Sequence, residues 1–254
     1  MSERGDFKQQ TRASEPQLRE RQKLFELFSK RPMSDEDVLT NTGLYTRASV
    51  LAKQLWLNEL YTKILPIPGI IVEFGVWWGQ TLAICSNLRA IYEPYNHVRK
   101  VVGFDTFTGY SSFSERDPRS SEIQPGGYSV GSDYPRYLEQ LLSYHERENV
   151  LGHLRKFELV AGDVTATAPA YFQTHPETIV ALAVFDLALY EPTKKCLEAI
   201  VPHLVRGSIV AFDQLGAAEA PGETLAFSEV CGGLRRYAIH RSQFLPDRCY
   251  VTIE

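Results

Sequence analysis

The chain has 254 residues, of which 44% are hydrophobic and 23% charged, and its formal net charge is −4. This length suits one large α/β domain or two small ones, and the near-neutral charge argues against a general nucleic-acid binder, which usually carries a basic face. No segment reaches the roughly 18 apolar residues of a membrane span. The first residues lack the apolar run of a signal peptide, and the four cysteines form no Cys-x-x-Cys pair, so we expect a cytoplasmic protein with reduced thiols.

Helices are predicted before the first strand. Residues 1–16 are polar and without periodicity, which predicts disorder, and a helical pattern covers 15–30. Ser34 is the predicted N-cap of a second helix, and a third helix is predicted at 47–65. We therefore expect two parts: residues 1–65, a disordered N-terminus with a helical extension that covers a pocket or builds a dimer interface, and residues 66–254, a catalytic domain.

Five nearly continuous apolar runs follow, at 70–76, 101–104, 157–160, 179–185 and 208–212. Runs of this kind are typical of strands buried on both faces of a parallel sheet, and helical patterns separate most of them. The alternation predicts a doubly wound, Rossmann-like α/β fold. Two further strands, at 236–241 and 249–253, predict a C-terminal antiparallel hairpin that completes a mostly parallel, seven-stranded sheet.

One long polar stretch, 108–132, interrupts this alternation directly after the second strand. It is rich in Gly, Ser and Pro. Loops of this length in compact domains are usually functional lids or disordered. Because few large apolar groups are available to pin it, we expect a lid that is mobile without ligand.

The first candidate ligand site is the stretch 72–81, where the first strand ends and a helix begins. Open α/β sheets bind ligands beyond the carboxyl ends of their strands. Gly75 lets the backbone turn, Gly79 allows close contact, and the free N–H groups near Gln80 and Thr81 suit a carboxylate or phosphate. The spacing is not Gly-x-Gly-x-x-Gly, which disfavours a dinucleotide. Glu73, two residues before the first glycine, resembles the first motif of methyltransferases that use S-adenosylmethionine (SAM), although a glycine turn without a ligand remains an alternative.

Acidic residues end the next two strands. Asp105 lies 32 residues after Glu73 and is placed to accept hydrogen bonds from both hydroxyls of a ribose. Asp163 follows the third strand, where it either accepts a bond from an adenine amino group or caps the following helix. Three successive strand ends that carry Glu and Gly, Asp, and Gly-Asp are much more specific than any one of them.

The fourth and fifth strands end in Asp186 and in Asp213-Gln214. These ends are expected to lie side by side at the ligand-binding edge of the sheet. Two carboxylates and an amide oxygen form a hard oxygen set that suits Mg²⁺ or Ca²⁺, and such an ion lowers the pKa of a hydroxyl nucleophile. In the alternative interpretation, Asp213 caps a loop and Asp186 bonds backbone amides.

The order of these motifs resembles the macrocin O-methyltransferase family, bacterial enzymes that methylate sugars in macrolide and aminocoumarin pathways. The likeness covers residues 45–250 and is strongest at 72–79, 103–109 and 185–193. It implies SAM-dependent, Mg²⁺-assisted methylation of a sugar hydroxyl, often on a nucleotide-linked sugar or a glycoside, by a homo-oligomer. We accordingly expect Thr106 and Phe107 to belong to the cofactor site and Asp186 to act in catalysis.

Two positions depart from the family pattern. The family usually has Asp-x-Asp after the fourth strand, and Ala188 here replaces its candidate general base. The fifth strand usually ends in Asp-Asp, and Gln214 offers only a neutral oxygen, so we expect weak Mg²⁺ binding by Asp186, Asp213 and Gln214. A small-molecule O-methyltransferase is the leading hypothesis; a metal-independent N- or carboxyl-methyltransferase and a non-catalytic SAM-fold binding protein stay open.

Overall fold

The computed structural model describes residues 13–120, 123–131, 133–232 and 236–254. Its strands are β1 (Ile70–Phe74), β2 (Val101–Asp105), β3 (Phe157–Ala161), β4 (Val180–Phe185), β5 (Leu204–Phe212), β6 (Tyr237–Arg241) and β7 (Cys249–Ile253). Its α-helices are α1 (Glu15–Ser29), α2 (Asp35–Thr40), α3 (Ala48–Ile64), α4 (Gln80–Tyr92), α5 (Tyr134–Glu148), α6 (Val164–Thr174), α7 (Tyr190–Ile200) and α8 (Gly222–Cys231). Short 3-10 helices cover Thr42–Tyr45 and Val201–His203.

The seven strands form a single sheet in the order β3-β2-β1-β4-β5-β7-β6. The first five strands along the chain pair in parallel, and β7 runs antiparallel to both β5 and β6. The strand order reverses between β1 and β4, and ligands of open α/β sheets bind in the crevice that such a reversal opens. The predicted α/β class, the mostly parallel sheet and the C-terminal hairpin are confirmed.

A row of four phenylalanines crosses the sheet near the carboxyl ends of its central strands. The ring centroids of Phe104 and Phe74 are 5.0 Å apart, those of Phe74 and Phe185 4.9 Å, and those of Phe185 and Phe212 5.1 Å. Each ring belongs to a residue that lies directly opposite the next in the strand register. All four side chains are fully buried, on the face that α6, α7 and α8 cover. We call these residues the phenylalanine row.

The other face of the sheet is covered by α3, α4 and α5. Helix α3 buries Trp56, Leu57 and Leu60 in the same apolar cluster as residues of β1 and β4. In contrast, α1 and α2 contain no buried residue, although both helices form where they were predicted and Ser34 accepts a hydrogen bond from the Asp37 N–H at 3.1 Å. The division of the chain at residue 65 stays a prediction.

Some predicted boundaries are wrong. The predicted disorder of residues 1–16 falls mostly on 1–12, outside the described residues, but Glu15 and Pro16 belong to α1. Helix α8 is missing from the predicted elements because it begins with a glycine, a poor helix former. That residue, Gly222, is required by packing, since a Cβ there would lie 2.4 Å from the Ala188 carbonyl oxygen. In the described part of the chain no helix is long and apolar enough to cross a membrane.

The phenylalanine row generates a test of the fold. Phe185 lies between two other rings, so Phe185→Ala leaves a cavity and should lower the free energy of unfolding by about 3–5 kcal/mol. Phe25→Ala is the matched control, because that ring is 63% exposed, and it should change stability by less than about 0.5 kcal/mol. Urea denaturation measures both values. Equal losses in the two variants would contradict the assigned role of the row.

Candidate active site

A cavity of about 460 Å³ lies at the carboxyl ends of the central strands. Eight of the residues predicted for the site line it: Gly75, Gln80, Asp105, Thr106, Asp163, Asp186, Asp213 and Gln214. The other four, Glu73, Gly79, Thr81 and Phe107, lie outside the lining. The fold therefore brings together residues that are as much as 139 positions apart in the sequence, Gly75 and Gln214.

The turn after β1 comes very close to neighbouring residues at both of its glycines. Gly75 has a φ of +91°, and a Cβ there would lie 2.2 Å from the carbonyl oxygen of Asp186. Gly79 has a φ of +74° and caps α4, and its Cβ would lie 2.5 Å from a methyl group of Leu138. Only glycine combines this backbone conformation with such close contact. The glycine pattern thus shapes the cavity at the start of α4.

Glu73 lies beneath this turn, with 3% of its surface exposed. Burial raises the pKa of its carboxyl to about 8, and the Thr81 side chain and the positive charge of Lys53 oppose that rise. Its Oε2 atom has no hydrogen-bond partner among the described residues. A buried carboxylate oxygen without a partner is costly, and a cationic ligand group nearby would stabilise the charged form.

The Asp105 side chain, at the end of β2, bonds to the backbone of the turn that follows β1. Its Oδ2 accepts a hydrogen bond from the Trp77 N–H at 2.7 Å, and its Oδ1 accepts one from the Phe107 N–H at 2.6 Å. Burial raises the pKa of the carboxyl, and these amide hydrogen bonds oppose the rise. Trp77 and Phe107 both have a positive φ, +49° and +58°. The Phe107 side chain packs in the core, so of that residue only the backbone bonds to the Asp105 carboxylate.

Asp163 both caps α6 and lines the cavity. Its Oδ1 accepts a bond from the Thr165 N–H at 2.9 Å, which confirms the predicted cap, and its Oδ2 accepts one from the Ser112 hydroxyl at 2.7 Å. Burial alone would raise the pKa of this carboxyl, but the hydrogen bonds outweigh burial and lower it. Ser112 belongs to the predicted lid, so this bond ties the lid to the third strand end.

The expectation that the loop 108–132 lacks apolar anchors is wrong for its described part. Ile123 is buried, and Tyr110 and Phe113 pack beside it against residues that follow β4 and β5. Asp117 is also buried, and its Oδ1 accepts a bond from the Tyr190 N–H at 2.7 Å. The Gly-, Ser- and Pro-rich composition of the loop gave no indication of these contacts. The loop closes the cavity through Tyr110 and Tyr128.

Asp186 and the pair Asp213-Gln214 lie at the predicted edge of the sheet, where the Asp213 carboxylate has other partners. The guanidinium of Arg248 contacts Asp213 as an ion pair. The second carboxylate oxygen of Asp213 accepts a bond from the Gln214 side-chain nitrogen at 3.1 Å. No group of three or more His, Cys, Asp or Glu side chains in the described ranges is arranged to hold a metal ion. Arg248 belongs to no sequence motif, so its place beside Asp213 was not predicted.

A fully buried glutamate that the sequence motifs missed holds the loops after β4 and β5. Glu223 accepts bonds from the Leu187 and Ala188 N–H groups, each at 3.2 Å, and from the Gln214 N–H at 2.9 Å. Burial raises its pKa to about 8, and the Gln214 amide opposes the rise. Because Ala188 has a φ of +59°, these bonds also hold a strained backbone in place.

The family model for macrocin-O-methyltransferase (TylF) matches residues 56–227. The chain belongs to this family. Its structure superposes on that of CalS11, a calicheamicin methyltransferase, with a TM-score of 0.91 and 38% sequence identity over 99% of both chains. For the apo structure of CalS11, a TDP-rhamnose 3'-O-methyltransferase, the TM-score is 0.83, with 37% identity over 95% of this chain and 96% of the other.

The structure of the O-methyltransferase NovP is a more distant match, with a TM-score of 0.60 and 17% identity over 80% of this chain and 79% of the other, and it shares the fold. No curated protein sequence matches the chain. Family membership and the CalS11 superposition make the chain a SAM-dependent methyltransferase. The predicted resemblance, fold class and enzyme class are confirmed.

The contact between Gly75 and Asp186 generates a prediction for this methyltransferase. Gly75→Ala places a methyl group against a carbonyl oxygen at a positive φ, so it should destabilise the fold by about 1–3 kcal/mol and abolish binding of S-adenosylhomocysteine (SAH), the demethylated product. Gly43→Ala is the matched control, since no heavy atom lies within 4 Å of its added Cβ. Thermal unfolding and calorimetry test both. SAH binding by Gly75→Ala at wild-type affinity would contradict the assigned contact.

Proposed function

We propose that this methyltransferase transfers a methyl group from SAM to a hydroxyl of a nucleotide-linked sugar, with a TDP-linked 6-deoxysugar as the best candidate acceptor. The observation that carries the proposal is the likeness to CalS11, which extends over 99% of both chains at 38% identity. CalS11 is a TDP-rhamnose 3'-O-methyltransferase, so its own acceptor is a sugar of this kind. A likeness that includes the helices and loops around the pocket supports a related acceptor, because these segments determine specificity on a shared fold.

The residues at the first three strand ends fit SAM. Gly75 and Gly79 allow the close packing that shapes the turn after β1, and the N-terminus of α4 suits the methionine carboxylate. Glu73, with its unpartnered buried oxygen, suits the methionine ammonium. Asp105 would hold the ribose, since each carboxylate oxygen that accepts one amide bond keeps a second lone pair. Asp163 would lie near the adenine. When bound, SAM supplies an electrophilic methyl group.

The acceptor hydroxyl must lose its proton as the new bond forms, and Asp186 is our candidate for receiving it. Asp186 lines the cavity directly after β4, where its N–H donates to the Phe74 carbonyl oxygen at 2.9 Å. Ala188 cannot replace it, since an alanine side chain accepts no proton. A positioned carboxylate that removes a proton during the reaction typically contributes about 10²–10⁴-fold to the rate.

Mg²⁺ has no part in this proposal. Both carboxylate oxygens of Asp213 already have partners, Arg248 and the Gln214 side chain, and Mg²⁺ demands near-octahedral oxygen ligands at close range. Arg248 and the Gln214 side-chain nitrogen therefore compete with the ion for the Asp213 carboxylate. Homo-oligomerisation, the cytoplasmic location and the domain division at residue 65 stay predictions.

The direct test is methylation of a defined acceptor. Purified enzyme with SAM and TDP-rhamnose should give a product that is heavier by one CH₂, a methyl in place of a hydrogen, by mass spectrometry. Fragmentation that places the added mass on the rhamnose identifies O-methylation of the sugar. Free rhamnose and UDP-glucose are the control acceptors and should react much more slowly. Binding of SAH without methylation of any TDP-linked deoxysugar would instead favour an N- or carboxyl-methyltransferase or a non-catalytic protein.

Asp186 gives a second test. Asp186→Asn keeps the shape of the side chain but removes the proton acceptor, so kcat should fall by about 10²–10⁴-fold while the affinity for SAH stays within about threefold of wild type. Glu198→Gln is the control, because that carboxylate lies on the exposed side of α7 and pairs with Lys195 in its own helix. Steady-state kinetics and calorimetry separate the two effects. A kcat for Asp186→Asn equal to wild type would remove this residue from catalysis.

A further inference from the structure

We infer that the guanidinium of Arg248 acts as a built-in cation at the ends of β4 and β5, where it holds acceptor oxygens and replaces a divalent metal. This inference deepens the proposed function and rests on it for the acceptor. It assigns a role to a residue outside every sequence motif.

The strand pairing brings Arg248 to this position. Arg248 immediately precedes β7, and the antiparallel register sets Cys249 opposite Phe212. Phe212 immediately precedes Asp213, so Arg248 and Asp213 leave adjacent strands at the same level. The backbone of Arg248 is held on both sides, since its N–H donates to the Leu245 carbonyl oxygen at 3.0 Å and its carbonyl oxygen accepts from the Ser242 N–H at 2.9 Å.

The Arg248 side chain is fixed between an aromatic ring and a carboxylate. Its guanidinium carbon lies 5.2 Å from the centroid of the Trp56 ring, within the range of a cation–π interaction, and the group contacts Asp213. Only 17% of the side chain is exposed, and it forms part of the cavity wall. Asp186 lies close enough for its charge to act on the guanidinium. One fixed positive charge therefore faces the two carboxylates that were predicted to bind Mg²⁺.

Arginine suits this role for several physical reasons. The guanidinium remains charged throughout the pH range of proteins, and its five N–H donors leave some available after it pairs with Asp213. Donors held in advance where charge develops on an acceptor oxygen stabilise the transition state without reorganisation. A fixed cation also repels a second cation, and the Gln214 side chain turns its N–H toward Asp213 rather than its oxygen. These features disfavour Mg²⁺ at Asp213 and supply positive charge in its place.

The experiment measures metal binding separately from catalysis. For the wild-type protein, we expect calorimetric titration with MgCl₂ alone to give no saturable heat, and methylation of the acceptor to be unchanged by EDTA. Arg248→Met keeps the apolar contact with Trp56 but removes the cation, so kcat should fall by about 10²-fold. The same variant should gain saturable Mg²⁺ binding, because the guanidinium then no longer neutralises the negative charges of Asp186 and Asp213.

Two further variants keep the inference open to refutation. Arg248→Lys retains a positive charge and should keep metal-independent activity closer to wild type than Arg248→Met. If Arg248→Met fails to fold, the activity of Arg248→Lys still tests the inference. Arg241→Ala is the control, since it removes an exposed arginine from the same hairpin and should leave kcat unchanged. Loss of wild-type activity in EDTA that Mg²⁺ restores, saturable Mg²⁺ binding by the wild type, or full activity of Arg248→Met would overturn the inference. The MgCl₂ titrations need no acceptor, so they test this inference even if the proposed acceptor is wrong.

Discussion

The phenylalanine row determines where the chemically important residues of this protein lie. Each of its four rings belongs to the last apolar residue of a parallel strand, and the next residue along the chain is Gly75, Asp105, Asp186 or Asp213. Because the rings stack in strand register inside a close-packed core, the four following residues are held at one level of the sheet. Three carboxylates and a backbone turn then face one cavity, although they come from distant parts of the sequence.

Holding carboxylates together in this way requires compensation, and the structure supplies it with backbone amides and one guanidinium. Asp105 accepts two N–H groups from the loops around it, and Glu223 accepts three from the loops after β4 and β5. Asp213 is balanced by Arg248. Buried negative groups of this kind are stable only when hydrogen-bonded or paired, so the amide network and the arginine also fix the shape of the cavity.

Much of the fold was predictable because strands that are buried on both faces appear in the sequence as continuous apolar runs. The continuous apolar runs revealed all five parallel strands, and a parallel sheet places the residues after those runs at a common edge, which assembled most of the site. What the sequence did not reveal has physical causes as well. The oxygen groups that suit Mg²⁺ are visible in the sequence, but the cation beside them is not, because Arg248 reaches Asp213 only through the β5–β7 register. Ile123 and Asp117 pin a loop whose composition suggests mobility.

The glycine spacing of the turn after β1 suits SAM and not a dinucleotide, and the assigned chemistry depends on this distinction. Calorimetric titration of the purified protein with SAH and, separately, with NAD tests it most directly. We expect a saturable isotherm for SAH with a micromolar Kd and no saturable heat for NAD, because the glycine spacing and the buried Glu73 suit an amino-acid end and not a pyrophosphate. Saturable binding of NAD with no binding of SAH would contradict the assignment.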